Sequence, residues 1–164
     1  LDIGTGSGAI SVSLKKSRPL WQVTASDLSA DALVLAKENA ILNQVDISFV
    51  QSDVFENTSG SFDIIVSNPP YISENDKDEV GLNVLASEPK MALFADEEGL
   101  AIYRQLIEEA DKYLTPSGKL YFEIGYKQGQ DLKKLLSLHF PDKRVRVLKD
   151  QFGQDRMVVM DDEK

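Results

Sequence analysis

The sequence predicts an α/β fold: a mostly parallel, seven-stranded sheet with helices on both faces and an antiparallel strand pair at the C-terminal end. Three observations carry this. Short apolar segments of strand character alternate with segments of helical periodicity, and that alternation lays strands parallel with helices between them. A glycine-rich turn, Gly4-Thr5-Gly6-Ser7-Gly8, separates the first strand from the first helix. The last two strand-like segments are joined by a link too short for a crossover helix, which makes them antiparallel.

Leu1-Asp2-Ile3 reads as the end of a strand, and residues 8–17 as a short helix. Residues 21–26 form the second strand. Residues 29–42 form a helix, with Ser29 placed to cap its first amides and Asp31 favourable in its first turn. Residues 47–51 and 62–67 are strands. Tyr103, Leu106, Ile107, Ala110 and Leu114 recur at helical spacing, which predicts a helix over 100–114. Thr115-Pro116-Ser117-Gly118 is the turn that stops it. Residues 119–124 are a strand, 130–139 a helix, and 145–148 and 157–160 the closing strands. Residues 69–98 do not fit the rhythm. Irregular stretches of that length are usually functional or disordered. This one follows a distinctive tetrapeptide, so a lid or substrate loop is expected, against the alternative of an acidic surface loop carrying Glu74, Asp76, Asp78 and Glu79.

The bulk numbers exclude several classes. The chain has 164 residues, 42% of them apolar, which suits one globular domain with a real core. Its net charge of −9 argues against a broad nucleic-acid footprint. With no cysteine and a single histidine, His139, neither a disulfide scaffold nor a thiolate or multi-histidine metal site is possible. No apolar run approaches the roughly 18 residues of a membrane-spanning helix. A reducing cytoplasm is the simplest setting.

The tetrapeptide Asn68-Pro69-Pro70-Tyr71 follows the apolar run 62–67. Two prolines fix φ and carry no N–H. The residue before a proline is kept out of the helical region. Asn68 is therefore held extended at a strand end, and the Pro69 carbonyl stays free to accept. Two acceptors and a flat ring, Tyr71, suit a planar amino group on an sp2 carbon.

The first turn has a carboxylate, Asp2, two positions before Gly4. A dinucleotide turn usually reads G-x-G-x-x-G, and an acid there would repel a pyrophosphate. Here the spacing is G-x-G-x-G, which with Asp2 suits a cofactor with a cationic, amino-acid-like end. Asp27 closes the second strand, where a carboxylate accepts from ribose hydroxyls. Asp53, in Ser52-Asp53-Val54-Phe55 after the third strand, is placed for an adenine amine. Ligands of open α/β sheets bind outside the carboxyl ends of the strands, where these acids and Asn68 all lie.

Together these residues resemble the class I S-adenosylmethionine-dependent methyltransferases, which have a Rossmann-like sheet. Asp2 through Ile10, Asp27-Leu28-Ser29, Ser67 through Ile72, Glu88-Pro89 with Ala92-Leu93, Gly99-Leu100, Glu123-Ile124-Gly125 with Gln128, and Gly153-Gln154-Asp155-Arg156 resemble the HemK (PrmC) family. That family methylates a glutamine side-chain amide in peptide chain release factors. The resemblance implies S-adenosylmethionine as donor, with S-adenosylhomocysteine as product. It implies Asp2, Gly4, Thr5, Gly6, Ser7, Gly8, Asp27, Leu28, Asp53, Val54 and Asn68 at the cofactor, and Asn68, Pro69, Pro70 and Tyr71 at the substrate amide. Many relatives carry Trp where Val54 stands, which leaves Phe55 as a partial flat partner for the adenine. An N-terminal helical substrate-docking domain is typical of the family, so residues 1–164 are expected to be the methyltransferase domain of a longer protein. An adenine-amino (N6) methyltransferase of RNA or DNA shares the tetrapeptide and is the alternative. A non-catalytic cofactor-binding module and a nicotinamide dehydrogenase stand further off.

Overall fold

Phe62–Ser67 (β4) is the strand about which the sheet changes direction. In the computed structural model the described residues are 1–69, 72–73, 94–95 and 100–162. Before β4 come β1 (Asp2–Ile3), α1 (Ala9–Ser17), β2 (Thr24–Asp27), α2 (Ala30–Leu42) and β3 (Ser48–Gln51). After it come β5 (Ile72–Ser73), β6 (Phe94–Ala95), α3 (Ala101–Glu109), β7 (Leu114–Glu123), α4 (Gly129–His139), β8 (Arg144–Lys149) and β9 (Asp155–Asp161). The sheet order is β3-β2-β1-β4-β7-β9-β8. The first five strands are parallel, and β9 runs antiparallel to both β7 and β8. The expected antiparallel pair is therefore present. Within 69–98, only β5 and β6 are described besides Pro69, paired parallel as a separate two-stranded sheet. Pro70, Tyr71, Glu88-Pro89, Ala92-Leu93 and Gly99 lie outside the described residues.

Each face of the sheet has its own core. On one, Val12 of α1 and Ala40 of α2 pack with Val23, Ala25 and Ile47. On the other, Tyr103, Leu106 and Ile107 of α3 and Leu132 and Leu136 of α4 pack on Ile3, Ile65, Leu120, Phe122 and Val158. Burying each of these large side chains contributes about 1.5–3 kcal/mol. Ser29 caps α2 as expected, its hydroxyl accepting from Ala32 N at 3.2 Å, with Asp31 in the first turn.

Two segments differ from the sequence reading. The second strand starts at Thr24, not at 21, because the Pro19 and Trp21 carbonyls are taken by the Lys15 ammonium at 3.0 and 2.7 Å. The helix expected over 100–114 ends at Glu109 and tightens into a 3-10 turn, Ala110–Lys112. Leu114 then pairs with Phe62, so β7 begins before the turn meant to precede it. The partner of β4 jumps from Leu114 to Lys119, and residues 115–118 bulge out opposite Asp63. A Cβ at Gly118 would stand 2.8 Å from the Thr115 carbonyl oxygen, so this bulge closes only around a glycine.

Candidate active site

The sheet changes direction between β1 and β4, and a crevice for ligands opens at such a point. Ile3 is in register with Ser26 on one side and Ser67 on the other. Gly4, Asp27 and Asn68 therefore stand at the same level on three neighbouring strands, about 4.8 Å apart from strand to strand. The Ser67 hydroxyl donates to the Ile3 carbonyl at 2.7 Å and fixes the ends of β1 and β4 together. Asn68 is exposed beyond this tie, while Pro69 is buried.

Gly4, Gly6 and Gly8 all have positive φ, which lets the chain reverse tightly after β1. At Gly8 there is a second requirement: an added Cβ would lie 3.1 Å from the Ala36 Cβ and 3.2 Å from its Cα. α1 can start against α2 only because nothing projects there. The turn is tied down by Thr5 N donating to the Ser26 carbonyl at 2.9 Å and by Asn39 Nδ2 donating to the Ser7 carbonyl at 2.8 Å.

Asp2 is almost wholly buried, at 1% exposure. Its Oδ2 accepts from the Thr5 hydroxyl at 2.6 Å and from Ser11 N at 3.1 Å. Its Oδ1 is buried with no hydrogen-bond partner among the described residues. Burial pushes the Asp2 carboxyl above its ordinary value, against the opposing hydrogen bonds from Thr5 and Ser11. A buried carboxylate oxygen without a partner is costly. An ammonium or other donor delivered to that oxygen would remove the cost, and this fits a cofactor with an amino-acid end.

Asp27 is half-buried and has a double role. Its Oδ2 accepts from Gly6 N and its Oδ1 from Ser29 N, each at 2.8 Å. The carboxylate thus joins the glycine turn to the start of α2. Each oxygen keeps capacity for a second donor, so it can still take ribose hydroxyls. Leu28, next to it, is 50% exposed. Asp53 is exposed on the turn after β3. Val54 has φ 46°, an outlier for a β-branched residue, and such strain concentrates at functional sites. The Ser52 hydroxyl supports this turn, donating to the Val54 carbonyl at 3.1 Å and accepting from Asn57 N at 3.0 Å.

Phe55 does not serve as expected. It is 1% exposed and stacked on Tyr113, with ring centroids 4.4 Å apart and an interplanar angle of 4°. The ring is used by the core and cannot lie flat on an adenine. Ser11 and Asn39, which hold Asp2 and the glycine turn, escaped the sequence reading. The only signal for Ser11 was a small polar residue on the buried side of α1. On the acceptor side, the fully buried Tyr103 donates its hydroxyl to the Glu123 carbonyl at the end of β7. Glu123 would be the next partner of Asn68, since Ser67 is in register with Phe122.

This sheet and crevice define the class: the chain belongs to the methyltransferase small domain family, which matches residues 1–97. A ribosomal protein L11 methylase from Lactobacillus delbrueckii subsp. bulgaricus has the same fold, with a TM-score of 0.71, 24% identity and coverage of 99% of this chain and 69% of its own. Among curated proteins, the release factor glutamine methyltransferase of Streptococcus pneumoniae is 63% identical over 162 residues, 99% of this chain. That of Lactococcus lactis subsp. lactis is 52% identical over 158 residues, 96% of this chain. The chain spans 58% of the length of each of these two relatives. They bear out the resemblance to the HemK family and the Rossmann-like class I methyltransferase fold.

Proposed function

We propose that the chain is the catalytic part of an S-adenosylmethionine-dependent methyltransferase that modifies a glutamine side-chain amide in a peptide chain release factor. The observation that carries this is the common level of Gly4, Asp27 and Asn68 just past the matched register of β1, β2 and β4, with Asp2 two residues below it on β1. A donor grip and an amide clamp then share one crevice. The curated relatives support the choice of acceptor by name. The orphaned Asp2 oxygen supports an amino-acid-bearing cofactor. Among the described residues no helix is long and apolar enough to cross a membrane, and a release factor as acceptor implies a cytoplasmic site of action.

S-adenosylmethionine, when bound, supplies a methyl group on a positively charged sulfur. Asp2 would hold its ammonium, Asp27 its ribose hydroxyls, and the turns at 4–8 and 53–54 its remaining edges. The acceptor amide is a poor nucleophile because its lone pair is delocalised. Asn68 Oδ1 and the Pro69 carbonyl accept its two N–H hydrogens and turn the nitrogen toward the donor. They also favour the positive charge that develops there. The methylated nitrogen is acidic enough to release its proton afterwards, so no strong base is needed.

The deciding experiment offers labelled methyl donor with a release factor, tRNA, rRNA and DNA in parallel, and locates the label by mass spectrometry. Label on a glutamine of the release factor is the expected result. Label in nucleic acid alone would replace this acceptor with an adenine amine.

A further inference from the structure

The β8–β9 turn stands beside the acceptor half of the crevice and is built more firmly than a surface turn needs. Asp150 Oδ1 accepts from Phe152 N and Gln154 N at 2.9 and 3.0 Å. Its Oδ2 accepts from Arg156 Nη2 at 3.2 Å. Asp150 N donates to the Gln154 carbonyl, Gly153 N returns to the Asp150 carbonyl, and Lys149 Nζ caps the Gly153 carbonyl. These bonds hold the Asp150 carboxyl below its ordinary value. At the base of the hairpin α4 is pressed close, for a Cβ on Gly129 would lie 2.6 Å from Asp155 Oδ2. Yet this rigid turn presents Phe152 to solvent at 80% exposure. In the neighbouring β7–α4 loop Tyr126 is 44% exposed, with the Lys127 ammonium 5.4 Å from its ring centroid.

The register places both rings at the reaction edge. β7 ends with Glu123 opposite Met157, whereas the hairpin continues through the Lys149–Asp155 pair to its turn. The turn therefore rises about 7–10 Å above the end of β7. It is two to three strands from Asn68, roughly 10–14 Å at the usual strand spacing. With the rise included the separation is about 12–17 Å, which an extended peptide covers in about four to five residues.

We propose that Phe152 and Tyr126 form a docking rim for the substrate polypeptide, taking an apolar side chain about four to five residues from the methyl-accepting glutamine. This rests on the acceptor proposed above. Rigid aromatic anchors lose little entropy on binding and dominate such contacts. The charges favour a polypeptide over a nucleic-acid strand. Arg156 and Lys149 are paired with Asp150 and Asp155, so among the described residues the turn itself offers no cluster of cations for phosphates.

The test compares Phe152→Ala, Tyr126→Ala and the double variant with the parent in the full-length protein. The readouts are KM and kcat for a release factor, and S-adenosylmethionine affinity by calorimetry. We expect the double variant to raise KM about tenfold, with kcat and cofactor affinity within twofold of the parent and Phe152→Trp close to parental. Unchanged KM in the double variant would overturn the rim and leave the proposed acceptor standing. A parent that binds the cofactor but labels only nucleic acid would overturn both. A fall in kcat with KM unchanged would reassign the rings to the reaction itself and also end the docking proposal.

Discussion

Replacing Asp2 with asparagine separates what the buried carboxylate does for folding from what it does for the donor. Asp2 is 1% exposed and, among the described residues, has two hydrogen bonds on Oδ2 and none on Oδ1. Asparagine retains the acceptor toward Thr5 and Ser11 and places an uncharged NH2 where Oδ1 was. Folding then loses a buried charge but gains an unpaired donor, costing about 1–3 kcal/mol. The two changes oppose each other, so stability at pH 7 should stay within about 1 kcal/mol of the parent. The donor feels a one-sided change. A hydrogen bond to a charged group is worth about 1.5–3 kcal/mol, so affinity for S-adenosylmethionine should fall about 10–150-fold.

The pH dependence gives a second check on Asp2. Its folded pKa is raised, so the folded state binds more protons than the unfolded state across the interval between the two values. Stability attributable to Asp2 therefore declines as pH rises from the unfolded value through the folded one. That decline should vanish in Asp2→Asn. Calorimetry with the cofactor and denaturant unfolding between pH 4 and pH 8 provide the measurements. Parental affinity in the variant, or a pH profile identical to the parent's, would refute the reasoning.

Other expectations concern the turn, the clamp and the sheet edge. Gly8→Ala meets both the positive φ and the 3.1 Å approach of Ala36, and should cost about 2–4 kcal/mol in urea unfolding while weakening cofactor binding. Asn68→Ala should lower kcat by about 10²–10³ in a single-turnover methylation assay, since it removes an acceptor that matters most as charge develops. The Arg144 and Arg146 hydrogen bonds hold the Asp161 carboxyl below its ordinary value. Its stabilisation is present above the unfolded pKa and lost as pH falls through the lowered folded one. Asp161→Asn should cost about 1–2 kcal/mol at pH 7 and flatten the acid limb of an unfolding profile.

Much of the arrangement was legible because local chemistry and tertiary structure agree. β4 falls on 62–67 as its apolar run indicates, and Ser29 caps α2 as its residue type indicates. Asp2, Gly4, Asp27 and Asn68 meet at one edge because strand ends followed by turns are readable and parallel sheets align them. What escaped depends on partners distant in sequence. The start of β7 is set by Phe62, fifty-two residues before Leu114, not by its own turn signal. Phe55 has the flat ring an adenine wants, but Tyr113 takes it.

The return of the chain to β4 after β3 divides the molecule's heredity as well as its sheet. On the proposed reading the residues of the donor grip other than Asn68 itself precede it in the chain, whereas the proposed rim, the end of β7 and the hairpin come after residue 100. On that reading, a recombination or an accumulation of changes in the second half would redirect which molecule receives the methyl group without disturbing how the donor is held. The first half then serves as a portable cassette, and diversification of acceptors should be concentrated downstream of β4.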